Sequence, residues 1–218
     1  IVFGDWSSDV CSSDLEIGCG NGKNCFEVYY IAKPNHVVGF DFDANAIESA
    51  NKLSHELKIE NQVQFFCENA TKYDFSDIGN IDYLLLIDFL EHIDRPDLFL
   101  QSINPLLNDT STIIVSVPTY MYKKVFGQKF HIEVGHVKDG YNLSEIEDLF
   151  KTIGYKVKSH SYNTGLFGGL GCFLYYRFMI KNPNLNIIKQ LLLYPFSKID
   201  FINNEKISSS LFVVLEKS

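Results

Sequence analysis

The sequence predicts an α/β fold: a seven-stranded, mostly parallel sheet with helices on both faces and a helical insertion before the last strand. Three observations carry this prediction. From residue 15 onward, short β-type apolar runs alternate with segments of helical period. A glycine-rich turn at residues 18–22 separates the first run from the first helical segment, the position where open α/β sheets take ligands. Residues 83–87, Tyr-Leu-Leu-Leu-Ile, are apolar throughout, as a central strand covered on both faces requires.

The first strand ends at residues 15–17. A helix over 24–32 follows, with Cys25, Val28, Tyr29 and Ala32 on one face. Residues 37–40 form the second strand, and the next helix, 44–57, turns Ile47, Ala50 and Leu57 inward. Strands follow at 63–67 and 83–87. Residues 96–107 read as a helix, with Pro96 in a first turn that needs no N–H there. A fifth strand over 112–117 is stopped by Pro118. Ser144 and Glu147 read as a capping box for a helix that runs to Ile153 and ends at Gly154. Strands at 156–160 and 211–215 complete the sheet. No internal repeat or low-complexity tract is present, so residues 1–218 read as one domain.

Composition narrows the classes. An apolar fraction of 46% with 21% charged residues excludes general disorder. The net charge is −8 and the 19 Lys and Arg are scattered, so no nucleic-acid partner is expected; phosphate binding leaves a basic stripe. The five cysteines (Cys11, Cys19, Cys25, Cys67 and Cys172) suit neither a disulfide framework nor a zinc cluster, and the expected location is a reducing cytoplasm. The longest apolar stretch, 166–180, is interrupted by Arg177 and falls short of the ~20 residues a membrane span needs. No signal peptide is expected from the first residues. Residues 4–13, GDWSSDVCSS, are polar where a buried first strand should be Val- and Ile-rich, and they read like translated adaptor sequence. A non-native or truncated start over 1–14 is therefore expected.

The turn itself is Glu16-Ile17-Gly18-Cys19-Gly20-Asn21-Gly22. A dinucleotide fingerprint needs a third glycine where Lys23 stands. A phosphate-binding loop needs four residues between its glycines and Ser or Thr after the lysine; here three separate Gly18 from Gly22, and Asn24 follows Lys23. Glu16 repels a pyrophosphate and suits a cationic ligand, such as the ammonium and sulfonium of S-adenosylmethionine. Asp41, at the end of the second strand, stands where an acid accepts hydrogen bonds from ribose hydroxyls. Its competing role is a helix cap, for which Asp43 is better placed.

Together these residues resemble the class I S-adenosylmethionine-dependent methyltransferases. The resemblance continues through Glu68-Asn69-Ala70 after the third strand and Asp88-Phe89-Leu90-Glu91-His92-Ile93 after the fourth. Residues 114–118 and 136–157 match the family's small-molecule branch. It implies a Rossmann-like sheet, S-adenosyl-L-methionine as cofactor, and a small-molecule acceptor methylated at O, N or C. It further implies a cofactor site of Glu16, Gly18, Cys19, Gly20, Gly22, Asp41, Phe42, Asn69, Ala70 and Asp88. Asn69 departs from the family's usual Asp, and its amide oxygen is expected to accept from the adenine amino group instead. A fold relative using the cofactor for another transfer, and a non-catalytic binding module, are the alternatives.

Three histidines are candidates for a base on the acceptor side: His92, His131 and His136. His136, in the loop after the fifth strand, is the choice; His92 has a helix cap as its other role. His131 and His136 are five apart with Gly135 between them, unlike a helical zinc pair, so no metal is expected. Residues 164–203 are rich in apolar side chains, including Leu166, Phe167, Leu170, Phe173, Ile187 and Phe196. They are expected to form two apolar helices that cover the acceptor site or make a homodimer contact, or else to serve an apolar acceptor or a membrane-surface substrate.

Overall fold

The computed structural model describes residues 13–174, 200 and 203–218. Its strands are β1 (Ser13–Ile17), β2 (His36–Asp41), β3 (Val63–Cys67), β4 (Ile81–Ile87), β5 (Leu107–Pro118), β6 (Tyr155–Asn163) and β7 (Ser210–Lys217). They form one seven-stranded sheet in the order β3-β2-β1-β4-β5-β7-β6. Strands β1 to β5 pair in parallel, and β7 runs antiparallel between β5 and β6. Strand β4, whose residues 83–87 form the apolar run, lies at the centre of that order, as that run requires.

Side chains two apart along a strand share a face, and this sorts the core into two clusters. Leu84, Leu86, Ile113, Val115 and Val117 pack on one face with Phe99 and Leu100 of α3 (Pro96–Ile103) and Ile146 and Phe150 of α6 (Leu143–Lys151). Leu85 and Ile114 point to the other face. There they meet Cys25 and Val28 of α1 (Lys23–Ala32) and Ile47 and Ala50 of α2 (Ala44–Glu56). Two short helices, α4 (Tyr120–Phe126) and α5 (Gln128–Glu133), follow β5.

Several expectations need correction. Leu57 is exposed, and Ser54 takes the inward position, donating to the Val63 carbonyl. The helix from Pro96 stops at Ile103 because Pro105 cannot continue it; Asn104–Leu106 is a 3₁₀ turn, and Leu107 already belongs to β5. The capping box opening α6 is Asn142 with Glu145, not Ser144 with Glu147. Asn142 accepts from the Glu145 N–H while the Glu145 carboxylate accepts from the Asn142 N–H, a reciprocal cap worth about 1 kcal/mol. That helix ends at Lys151, two residues before Ile153. Of the insertion, α7 (Leu166–Leu174) is described and packs against α4. The second expected helix, with Ile187 and Phe196, lies outside the described residues. No helix among those described is long and apolar enough to cross a membrane.

Candidate functional site

The parallel strands β1 to β4 deliver their C-terminal ends to one edge of the sheet, and four loops meet there. The loop after β1 turns tightly on three glycines with positive φ: Gly18 (77°), Gly20 (52°) and Gly22 (77°). Its amides are held by the protein itself. Gly18 and Cys19 both donate to the Phe40 carbonyl, at 2.8 and 3.0 Å, and Gly22 donates to the Cys19 carbonyl. Gly20 donates to Asp41 Oδ2 at 2.8 Å. This arrangement leaves those four N–H groups unavailable to a phosphate, whereas an anion-binding loop directs such groups outward.

Asp41 is fixed at both oxygens, since Oδ1 accepts from the Asp43 N–H at 2.9 Å. The cap of α2 is Asp43, which accepts from Asn45 and Ala46. Asp41 therefore keeps lone pairs directed at the cavity in front of the turn. That cavity measures about 980 Å³ and is lined by Gly18, Gly20, Asp41, Phe42, Asn69, Ala70 and Asp88 among others. Phe42 is 80% exposed, an apolar ring presented to this space.

Three expected site residues do not line it. Glu16 is buried, and its oxygens accept from Asn24 Nδ2 at 2.7 Å and Cys25 Sγ at 3.0 Å. Burial raises its carboxyl to about 7. Glu16 thus braces the start of α1 rather than presenting a charge to the ligand. Cys19 is buried beneath the turn, and Gly22 caps α1 against Phe65.

Asn69 Oδ1 accepts from both the backbone N–H and the hydroxyl of Thr71, at 3.0 and 2.7 Å. The backbone donor fixes which end of the amide faces it. Its oxygen is therefore engaged within its own loop, whereas the sequence expectation has it accept from a ligand.

A second cavity of about 300 Å³ adjoins the first. Its lining includes Asp88, Glu91, Pro118, Tyr122, Phe126, His136 and Thr164. Asp88 borders both cavities, and its carboxyl reaches back to Ser116 Oγ at 3.1 Å. Burial of that carboxyl raises its pKa, an effect countered by Ser116 and His92. Asp88 (φ 50°) and Thr164 (φ 53°) are non-glycine residues in the left-handed region, an uncommon conformation that marks this wall as specialised.

His136 reaches the small cavity because its loop is fastened to the turn after β4. The N–H groups of Val137 and Lys138 both donate to the Glu91 carbonyl, and Tyr141 Oη donates to the Leu90 carbonyl. The His136 side chain is only 6% exposed, with the His92 and His131 rings 4.8 and 5.0 Å away. Burial, followed by these two imidazoles, lowers its pKa to about 4, so the ring is neutral at pH 7. His131 is committed elsewhere, its Nε2 lying 3.1 Å from Asp139 Oδ1. The sequence reading passed over Tyr122 and Phe126. Thr119 directly after Pro118 is the N-cap signal for their helix, and the four-residue spacing of the two rings is its helical period.

The comparisons agree with this architecture. The O-methyltransferase of a trans-AT polyketide synthase multienzyme from Brevibacillus brevis, solved with S-adenosyl-L-homocysteine, superposes with a TM-score of 0.66 at 15% identity, covering 95% of this chain and 67% of that one. Geranyl diphosphate methyltransferase in complex with S-adenosylmethionine gives 0.67 at 10% identity, covering 97% and 80%. N-methyltransferase 4 of Papaver somniferum is 28% identical over 119 residues, 53% of this chain. The chain spans about a third (32%) of the length of that curated relative. Residues 12–155, from the start of β1 to the start of β6, match the methyltransferase domain family, and the chain belongs to that family.

Proposed function

We propose that this protein transfers a methyl group from S-adenosyl-L-methionine to a small-molecule acceptor. The observation that carries the proposal is the union of Asp41, relieved of capping and fixed by Gly20 and Asp43, with a glycine turn whose amides are spent internally. Such a site recognises a ribose without a polyphosphate. The cofactor occupies the larger cavity, with its ribose on Asp41, its adenine beside Phe42, Asn69 and Ala70, and its methionine portion along Gly18 and Gly20. The acceptor enters the smaller cavity, whose Pro118, Tyr122 and Phe126 walls suit an apolar molecule.

Transfer from a sulfonium is an in-line displacement with an activated leaving group, so positioning and exclusion of water supply most of the acceleration. His136 is the base candidate. Its neutral ring can take a proton, but a pKa near 4 makes it a weak base at pH 7.

Calorimetric titration tests the cofactor site. S-adenosylhomocysteine is expected to bind, with no comparable affinity for NAD or ATP; micromolar binding of either nucleotide at this site would overturn the reading. Asp41→Ala removes the ribose contacts and also releases Gly20. Its expected loss is on the order of 1–3 kcal/mol of binding, about fivefold to 150-fold in affinity. An unchanged affinity rules out Asp41 as the ribose acid. Product mass after incubation with candidate acceptors separates methyl transfer from another use of the cofactor.

A further inference from the structure

We propose that Glu91, His92 and His136 form a binding site for a divalent transition-metal ion at the boundary between the two cavities. One potential ligand atom from each residue lies within 4.8 Å of the other two. The cluster joins the turn after β4 to the loop before α6, and the Val137 and Lys138 bonds to the Glu91 carbonyl hold the two segments together. His92 lines the cofactor cavity, while Glu91 and His136 line the acceptor cavity.

The second observation is the state of the buried groups. Glu91 is 1% exposed, and among the described residues its Oε2 has no hydrogen-bond partner. Its Oε1 stands 3.9 Å from His136 Nε2, too far for a hydrogen bond. Two donors on one ion at about 2.1 Å stand about 3–4 Å apart, which brackets that separation. A buried carboxylate oxygen without a hydrogen bond is costly, and a cation offsets that cost directly. His92 Nδ1 lies 3.2 Å from the Gly135 carbonyl. The carbonyl can only accept, so the ring donates from Nδ1 and keeps its Nε2 lone pair. A backbone bond of this kind orients imidazoles that ligate metals. Asp88, on the shared wall, adds negative charge nearby.

Two imidazoles and one carboxylate suit zinc, manganese, iron or cobalt, whereas magnesium and calcium favour oxygen donors alone. Three protein ligands leave a position open toward the small cavity, where a hydroxyl or carboxylate oxygen of an acceptor can bind. The pair His131 and His136, five residues apart in sequence, is not the ligating pair, since His131 engages Asp139. The ion site stands on the geometry of the cluster; its link to acceptor binding rests on the functional reading above.

The test is titration of chelator-treated full-length protein with Zn²⁺ against a chromophoric chelator, followed by the visible spectrum of the Co²⁺ form. One equivalent is expected, with d–d bands and no thiolate charge-transfer band, which distinguishes this site from binding at exposed Cys67. Glu91→Gln and His92→Ala should each weaken zinc at least tenfold, while Cys67→Ser leaves it unchanged. His92 is partly exposed, so its variant is expected to fold, and a cooperative melt checks this. No stoichiometric zinc binding, or undiminished binding in a folded His92→Ala protein, overturns the site. S-adenosylhomocysteine binding is measured in the same samples. A protein that binds it without taking zinc refutes the metal site alone, and one that takes zinc without binding it supports the site while refuting the cofactor reading.

Discussion

Asp14→Val is expected to stabilise the fold by roughly 2–4 kcal/mol at pH 8, raising the melting temperature by about 4–16 °C for a chain of this size. Asp14 sits inside β1, paired with Val37 on one side and Tyr83 on the other, and is 1% exposed. Neither carboxylate oxygen has a hydrogen bond of normal geometry among the described residues. Burial raises its pKa from 3.8 to about 7; the charge of Asp82 adds to the shift, and the Tyr83 amide offsets only part of it. The sign follows from proton counting. Between about pH 4 and 7 the folded state keeps a proton that the unfolded state has released, so stability falls as pH rises through that window. For Asp14 the loss is on the order of 4 kcal/mol. Glu16, raised to about 7, and Glu91, raised to about 8, tilt the curve the same way. Thermal melts from pH 4 to 8 should show a steep decline in the parent and a shallower one in the variant. A variant that melts lower than its parent at pH 8 refutes this account of Asp14.

Gly22→Ala and Gly20→Ala are expected to fail in different ways. A Cβ at Gly22 would lie 2.4 Å from Phe65 Cζ and 2.5 Å from Cε1, with φ at 77°. Phe65 is itself buried against Phe26, so the ring cannot step aside. The substitution should cost roughly 2–4 kcal/mol of stability, displace α1, and weaken cofactor binding as a consequence. A Cβ at Gly20 meets nothing within 4 Å. Gly20→Ala should therefore fold with a penalty of about 1–2 kcal/mol for its positive φ, but lose cofactor affinity because the added methyl occupies ligand space. Chemical denaturation beside calorimetry separates the two effects. Equal cofactor binding in parent and Gly20→Ala would mean that the ligand does not approach this turn.

The sheet was legible because β4, β5 and β7 each carry a compact apolar run and the turn after β1 carries its own punctuation. Boundaries were less so. The 96–107 segment has helical apolar spacing throughout, and only the geometric cost of Pro105 ends its helix at Ile103. Asn142 and Ser144 are both competent caps in sequence; the choice depends on where the chain leaves Gly140, which is a tertiary matter. At the site, Asp43 was legible as the cap of α2 because an acid just before a helical run has few alternatives. The burial of Glu16 was not legible because its charge is visible in sequence while its partners, Asn24 and Cys25, become neighbours only when α1 folds back. Glu91 was seen only as part of a family segment, since a buried unpaired carboxylate has no signature in composition or spacing.

The internal hydrogen bonding of the glycine turn also bears on the entropy of binding. Gly18, Cys19, Gly20 and Gly22 are anchored to Phe40, Asp41 and Cys19 before any ligand arrives. A glycine-rich segment has more conformational freedom to lose than any other, and here folding rather than ligand capture restricts it. A ligand bound as proposed would meet a loop already ordered, and its affinity would depend on the contacts made rather than on loop closure.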